Sequence, residues 1–177
     1  MSAPRWTVRA CVVALSFAAL ACGRPFKVTT PPGFLEVHDE GTPFAYRAIA
    51  PEGVVAGVRV IDLDDDDGGG LAFWTHAVIV RMREIDGYAL LGESDVKSAD
   101  GTPGRELRFG HDQGDKPYLY TVRIYLAQSR LFLVETGGGK GDVARYQASL
   151  DWMEKTVRVR CGGFLAPVLS SHTCNRW

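Results

Sequence analysis

The sequence of 177 residues lacks a charge excess of either sign, because 20 basic side chains stand against 21 acidic ones and the formal net charge is −1. A basic nucleic-acid-binding domain would show a clear positive excess, so this class is excluded. Glycine and proline, at 20 and 9 residues, are too few for a collagen-like or disordered chain. With 46% hydrophobic and 23% charged residues, the sequence predicts one globular domain of average composition.

Long hydrophobic runs are also scarce, and the clearest one lies at the N-terminus. Residues 10–21 form an apolar run of twelve residues in which Ser16 is the only polar side chain. A membrane-spanning helix needs roughly 20 apolar residues, so this run is too short to cross a bilayer. Arg5 and Arg9 precede it, and this order of basic and apolar segments is typical of a signal peptide.

Residues 19–23, with the sequence ALACG, resemble the lipobox of bacterial lipoproteins. The resemblance implies that residues 1–21 are a lipoprotein signal peptide and that Cys22 is acylated, which anchors the mature chain in the lipid bilayer. It also implies a location in the bacterial cell envelope, facing the periplasm. Gly23 in place of Asp favours the outer membrane. Two alternatives stay open, namely ordinary secretion with a free Cys22 and an uncleaved membrane anchor.

Cysteines are few, and their positions suit an oxidising compartment. Of the four, Cys11 leaves with the signal peptide and Cys22 is the predicted lipidation site, which leaves Cys161 and Cys174. An even pair of cysteines in an exported protein predicts a disulfide bond, here closing the C-terminal tail at residues 161–177. The sequence contains no C-x-x-C motif, so a thioredoxin-like redox role is not expected.

Between the signal peptide and the first strand, composition predicts a linker. Residues 22–33 contain three prolines and no apolar period, which is typical of a semi-extended tether between a lipid anchor and a domain. The globular domain is therefore expected at residues 34–160.

Hydrophobic periodicity predicts seven strands and two helices. Alternating or continuous apolar runs predict strands at Phe34–His38, Phe44–Ala50, Val54–Leu63, Tyr88–Val96, Arg105–Gly110, Tyr118–Ala127 and Arg130–Thr136. A 3.6-residue period predicts one helix from Leu71 to about Glu84 and a second from an N-cap at Asp142 to Val157. The order of strands and helices predicts an α+β fold with an antiparallel sheet flanked by helices.

Two local motifs and this order resemble PsbP/DcrB-like domains over residues 34–157. The motifs are the turn at residues 101–104 (GTPG) that leads into a strand, and the run at residues 131–135 (LFLVE) before a Gly-rich helix start. The resemblance implies an α/β/α sandwich. It further implies an accessory or binding role, since no catalytic motif belongs to that group of domains.

An acidic run at the end of the third strand suggests two interpretations. Asp62, Asp64 and Asp66 offer carboxylates at alternate positions, as a cation site requires. An EF-hand loop starting at Asp62 would need Gly and Glu at its sixth and twelfth positions, where Asp67 and Phe73 stand. Two interpretations therefore remain. The run is either a metal site without EF-hand spacing, or a solvated loop whose negative charge stabilises the positive end of the following helix dipole.

Other chemical motifs fail on spacing. Residues 137–142 (GGGKGD) lack the Lys-Ser/Thr ending of a phosphate-binding loop, so no nucleotide is expected and a flexible strand-to-helix turn is predicted. The four histidines show no metal-binding spacing, and residues 92–95 (GESD) lack the second glycine of a serine-hydrolase elbow. The sequence therefore predicts no catalytic residue and no cofactor.

Five aromatic residues allow two interpretations, namely a packed core or an apolar pocket between helix and sheet. They are Phe73, Trp74, Tyr118, Tyr120 and Tyr125.

Two function classes follow from the sequence. The first is a membrane-anchored, non-enzymatic lipoprotein with an accessory role in binding another envelope protein, and with no nucleic acid or nucleotide as partner. The alternative is an envelope module that binds a small ligand or a metal ion. A preformed apolar cavity of roughly 300 Å³ or more would favour a small ligand. A packed core with an exposed apolar patch would instead favour a protein partner.

Overall fold

The computed structural model describes residues 24–38, 40–64 and 68–160. The predicted signal peptide, the predicted lipidation site at Cys22 and the cysteine pair Cys161 and Cys174 lie outside the described residues. The metal candidate Asp66 lies outside them as well.

The described residues form seven strands and two main helices, as the sequence predicts. The strands are β1 (Leu35–Glu36), β2 (Tyr46–Ile49), β3 (Val55–Asp62), β4 (Ala89–Lys97), β5 (Pro103–Gln113), β6 (Lys116–Ala127) and β7 (Arg130–Gly139). The helices are α1 (Leu71–Val80), which continues into a π-helical turn (Arg81–Ile85), and α2 (Lys140–Glu154). No helix in these ranges is long and apolar enough to cross a membrane.

All seven strands belong to one antiparallel sheet in the order β1-β2-β3-β7-β6-β5-β4. Strands β4 to β7 form a meander because short turns join neighbours, and β7 then pairs with β3 in the middle of the sheet. The long pairings β5–β6 and β6–β7 extend over ten residue pairs each, so the centre of the sheet is its most continuous part. The predicted α+β fold with an antiparallel sheet is confirmed.

Each face of the sheet carries its own core, because side chains alternate along the strands. On one face, α2 and the chain ends cover a core that includes Tyr125, Phe132 and Leu150. On the other face, α1 covers a core that includes Phe109, Ile124 and Leu131. The sheet is thus the middle layer of an α/β/α sandwich.

The Gly-rich segment needs a correction, since it is not a flexible turn. Gly137, Gly138 and Gly139 belong to β7 and pair with β6, and α2 follows them directly. A Cβ atom at Gly137 would lie 2.6 Å from the ring of Tyr120, so glycine lets this ring lie flat against the strand. Gly139, not Asp142, stands at the N-cap of α2.

The predicted tether also needs a correction. Phe26 is only 3% exposed and belongs to the core beneath α2. Lys27 exchanges two backbone hydrogen bonds of 2.9 Å with Arg158, and the Thr29 amide donates to Thr156 Oγ1 at 3.0 Å. We call residues 24–34 the N-terminal strap. These contacts make the strap part of the domain. Its prolines prevent a regular apolar period, but they do not prevent packing.

Asp100, in the turn between β4 and β5, fastens the last described residues to the sheet. Its Oδ2 accepts hydrogen bonds from the amides of Val159 at 2.8 Å and Arg160 at 2.9 Å, and Oδ1 accepts one from Thr102 Oγ1 at 3.0 Å. Burial alone would raise the pKa of Asp100, but these bonds and one from Ser98 hold it below its usual value. The chain beyond α2 therefore stays on the domain as far as residue 160.

Candidate binding site

A cavity of about 590 Å³ lies between α1 and the sheet. This volume is within the range of small-molecule sites and above the 300 Å³ that separates the two function classes. Trp74, Val78 and Met82 line it from the helical side, and Ile61, Val122, Leu131 and Leu133 line it from strands β3, β6 and β7. Its polar members are Arg59, Arg81, Asp86, Tyr88 and Tyr120.

The cavity exists beneath a helix of unusual composition. Residues 71–80 (LAFWTHAVIV) include no charged side chain, although one side of α1 faces solvent. A helix that is apolar on all sides is normally buried. Here Phe73 is 56% exposed, and Ile85 after the helix and Ile61 at the cavity wall are 70% and 42% exposed. The face around α1 therefore offers apolar surface both inside the cavity and around it.

A buried ionic group stands beside the cavity. Glu135 on β7 is 2% exposed, and its Oε1 accepts a hydrogen bond of 2.6 Å from Arg59 Nε. The Tyr120 hydroxyl donates to the other oxygen, Oε2. The alternation of β3, β6 and β7 places all three side chains on the α1 face of the sheet.

The protonation states of Glu135 and Tyr120 suit a role in holding neighbouring side chains in place. Burial raises the pKa of Glu135, against the opposing effects of Tyr120 and Arg59. Burial raises the pKa of Tyr120 too, and the neighbouring Glu135 charge adds to this rise, so the phenol keeps its proton. Both carboxylate oxygens of Glu135 accept hydrogen bonds from side chains of neighbouring strands. The group holds Arg59 and Tyr120 in fixed places on the cavity wall.

Trp74 supplies a polar group that the protein does not satisfy. Its indole Nε1 is buried and has no hydrogen-bond acceptor among the described residues. A buried donor without an acceptor costs about 1–3 kcal/mol. Trp74 contributes its ring to the cavity wall, but its buried N–H is not reached from the open space of the cavity.

The predicted aromatic pocket is only partly correct. Trp74 and Tyr120 line the cavity, and Phe73 packs edge-on against Trp74 with ring centroids 5.2 Å apart. Tyr118 lines a separate cavity at the start of β6, and Tyr125 is buried on the opposite face of the sheet.

Sequence reasoning missed Arg59, Tyr88 and Glu135. A signal for Glu135 exists, because it follows the apolar run 131–134 in a central strand and a buried charge requires a partner. The partner itself could not be found from the sequence, since Arg59 lies 76 positions away.

The described metal candidates, Asp62 and Asp64, do not belong to a cluster of metal-ligating side chains. Asp62 Oδ1 accepts a hydrogen bond of 2.6 Å from Arg130 Nε, so this carboxylate is engaged in an ion pair. Within the described ranges, no three or more His, Cys, Asp or Glu side chains come together as a metal site would require. Because Asp66 lies outside those ranges, the cation site at Asp62, Asp64 and Asp66 stays a prediction.

A second cavity, of about 430 Å³, lies beside α2 and has a charged floor. Arg123 Nη2 approaches Glu106 Oε2 at 2.7 Å and Glu154 Oε2 at 2.6 Å. These three side chains are at most one-fifth exposed. Because so many of its lining side chains are charged, this cavity suits an apolar ligand less well than the one beneath α1.

Glu154 predicts a specific pH dependence of stability. It is 6% exposed, and burial raises its pKa to about 7, against the lowering effect of Arg123. A carboxyl whose pKa is higher in the folded state than in the unfolded chain stabilises the fold when protonated, and this stability is lost as the pH rises through about 7. We expect this group to lower the free energy of unfolding by roughly 2 kcal/mol between pH 5 and pH 8.

Urea unfolding of wild type and Glu154→Gln at several pH values measures this effect. The variant should lose this part of the pH dependence, whereas Glu93→Gln, at an exposed position of β4, should keep it. Equal slopes in all three proteins would show that Glu154 does not titrate in this range.

Solved structures share this architecture at low sequence identity, while no family profile and no curated protein matches the chain. The PsbP protein CyanoP of Synechocystis sp. PCC 6803 is 12% identical, with a TM-score of 0.54 over 76% of this chain and 86% of its own. LpqN of Mycobacterium tuberculosis, described as involved in cell envelope biogenesis, is 9% identical, with a TM-score of 0.56 over 75% and 81%.

A eukaryotic protein has the same architecture. The Ran-binding protein Mog1p of Saccharomyces cerevisiae is 12% identical, with a TM-score of 0.54 over 80% of this chain and 93% of its own. The fold is PsbP-like. This confirms the fold that the resemblance implies, and at such low identities the likeness extends to the fold alone.

Proposed function

We propose that the protein is a lipid-anchored protein of the bacterial cell envelope that works by binding rather than by catalysis, with its site in the cavity beneath α1. The observation that carries the proposal is this cavity of about 590 Å³, most of whose lining side chains are aliphatic or aromatic. The signal at residues 1–22 supports the envelope location, and LpqN, which is described as involved in cell envelope biogenesis, has the same fold.

The chemistry of the walls favours an uncharged apolar ligand. Most lining side chains are aliphatic or aromatic. The charged groups of the lining are paired with each other, Arg59 with Glu135 and Arg81 with Asp86 at 3.6 Å, so a ligand charge of either sign would meet no unpaired counter-charge.

A protein partner is the second candidate function, and exposed apolar side chains favour it. Phe73, Ile85 and Ile61 expose between 42% and 70% of their surface on the α1 face. The first expectation from the sequence was a protein partner. The cavity volume of about 590 Å³ favours the small ligand instead, because it lies within the range of small-molecule sites.

Binding of Prodan, a neutral naphthalene dye with a ketone oxygen, tests the cavity. We expect saturable binding with a blue shift of the dye emission as it leaves water. Ala77 lines the cavity, so Ala77→Trp should fill the space and weaken binding by about tenfold or more. Ala72 is exposed on the same helix, and Ala72→Trp is the matched control that should bind as wild type does.

The variants separate the candidate functions. Equal dye binding by wild type and Ala77→Trp, with both proteins folded, would contradict a site in this cavity. Loss of partner crosslinking in Phe73→Ser together with unchanged dye binding would favour the protein partner.

The lipid anchor has its own test at Cys22. Metabolic labelling with a clickable palmitate analogue should label the wild-type protein, and Cys22→Ala should lose the label because the acylated sulfur is gone. Cys161→Ala is the control and should keep it. Equal labelling of wild type and Cys22→Ala would contradict the anchor.

A further inference from the structure

The cavity beside α2 lies on the face of the sheet opposite α1, and its walls are partly charged and partly apolar. Its volume of about 430 Å³ is within the range of small-molecule sites. Leu119, Val143 and Leu150 supply an apolar part of the lining. The charged part contains three carboxylates and two guanidinium groups, which belong to Glu106, Asp151, Glu154, Arg108 and Arg123. The lining therefore holds more negative than positive groups.

The two guanidinium groups lie in different parts of this cavity. Helix α2 packs on β7 and β6, and Arg123 on β6 contacts both Glu106 and Glu154 there. Arg108 lies over the edge strand β4 instead, since a Cβ atom at Gly92 would be 2.9 Å from its Nη2 atom. Near α2, a single guanidinium group thus serves two carboxylates.

Asp151 adds a further carboxylate to the α2 side of the cavity. It precedes Glu154 by three positions, so both side chains lie on the same side of the helix. Its Oδ1 accepts a hydrogen bond of 2.7 Å from the Gln147 amide, which is neutral and brings no opposing charge. The α2 side therefore combines three carboxylates with the one guanidinium group of Arg123.

The protonation of Glu154 reflects this excess of negative charge. Burial raises its pKa to about 7 although Arg123 lowers it, and the charges of Glu106 and Asp151 raise it as well. Tyr125 on β6 is the other titratable group near Glu154, and burial raises the pKa of its phenol, so it stays neutral. A cationic group of a ligand would thus take the place of the proton on Glu154.

We propose that the cavity beside α2 binds a small organic molecule with a primary ammonium group, held between Asp151 and Glu154. This site is separate from the one beneath α1 and takes a ligand of different chemistry. An ammonium group has three N–H donors and no acceptor, so it can donate to both carboxylates at once. The apolar part of the ligand then lies against Leu119, Val143 and Leu150.

Titration of the ¹⁵N-labelled full-length protein with phenethylammonium chloride, followed by NMR, tests this site. The matched uncharged probe is 2-phenylethanol, which has a hydroxyl in place of the ammonium group. We expect saturable shifts of the backbone amides of Thr121, Gln147 and Leu150, which line the cavity. The alcohol should bind about tenfold more weakly or worse, because it leaves the carboxylates without a counter-charge.

Two variants test the role of the carboxylates. Glu154→Gln and Asp151→Asn should each weaken binding of phenethylammonium by about tenfold, since each removes one charge that faces the ammonium group. Glu93→Gln is the control and should bind as wild type does, because Glu93 is exposed and pairs with Leu107, whose side chain belongs to the α1 face.

The pH dependence of binding gives a second readout. Wild type should bind roughly tenfold more strongly at pH 8 than at pH 6, because the ionised fraction of a carboxyl with a pKa of about 7 rises by that factor. Glu154→Gln should lose this dependence.

Three results would each overturn the proposal. They are equal affinity for the two probes, shifts confined to residues around α1, and equal affinity of folded wild type and Glu154→Gln. If Glu154→Gln does not fold, unchanged binding by Asp151→Asn overturns the proposal by itself.

Discussion

Replacing Arg59 by alanine is expected to lower the free energy of unfolding by about 3 kcal/mol. Removal of one partner of a buried ion pair leaves the other charge without compensation, which costs about 3–5 kcal/mol. Glu135 is 2% exposed and would keep only the Tyr120 hydroxyl, while Arg59 itself is about one-third exposed, so the low end of the range applies. Urea unfolding at neutral pH measures the loss.

An exposed pair in the same sheet provides the control. Arg130 and Asp62 are also linked across β7 and β3, but their side chains are 36% and 81% exposed. Arg130→Ala should therefore cost less than about 1 kcal/mol. Equal losses in Arg59→Ala and Arg130→Ala would mean that Glu135 is not a buried charge that depends on its partner.

The second large effect is expected at Gly104, where the sequence motif of residues 101–104 ends. A Cβ atom there would lie 2.5 Å from the carbonyl oxygen of Ile124 and 2.5 Å from the ring of Tyr125. Tyr125 is fully buried, so its ring cannot move away without displacing the core beneath α2. We expect Gly104→Ala to lower the free energy of unfolding by roughly 3 kcal/mol, because overpacking would separate β5 from β6.

Gly141 is the matched control for this substitution. It is exposed in the first turn of α2, and a Cβ atom there would meet nothing within 4 Å. Gly141→Ala should stabilise the protein by about 0.5–1 kcal/mol, since alanine favours helix. If Gly104→Ala unfolded at the same urea concentration as wild type, the close approach between β5 and β6 would be refuted.

The sequence predicted the sheet and its helices well where periodicity is strong. The alternation in β6, with Val122 and Ile124 toward one face, correctly indicated a strand with two different sides. The start of α1 at Leu71 is likewise confirmed. These features depend on local side-chain patterns, which a sequence displays directly.

Contacts between distant segments were not predictable in the same way. The strap composition of prolines and threonines indicated a tether, yet Phe26 packs into a core that includes Leu150 and Val157, more than 100 positions away. The site shows the same limit, because only the folded sheet places Arg59 beside Glu135 and Tyr120. The glycines at positions 137–139 predict a turn, since nothing local reveals that they pair with β6 and that Tyr120 lies against Gly137.

The central claim is that the cavity beneath α1 holds an uncharged apolar molecule in the cell envelope. Native mass spectrometry of the full-length protein, released from its membrane with a mild detergent, tests this claim most directly. Wild type and Ala72→Trp should each carry a stoichiometric extra mass from a bound small molecule, and Ala77→Trp, with the cavity filled, should lack it. An extra mass retained by folded Ala77→Trp, or absent from all three proteins, would contradict the account.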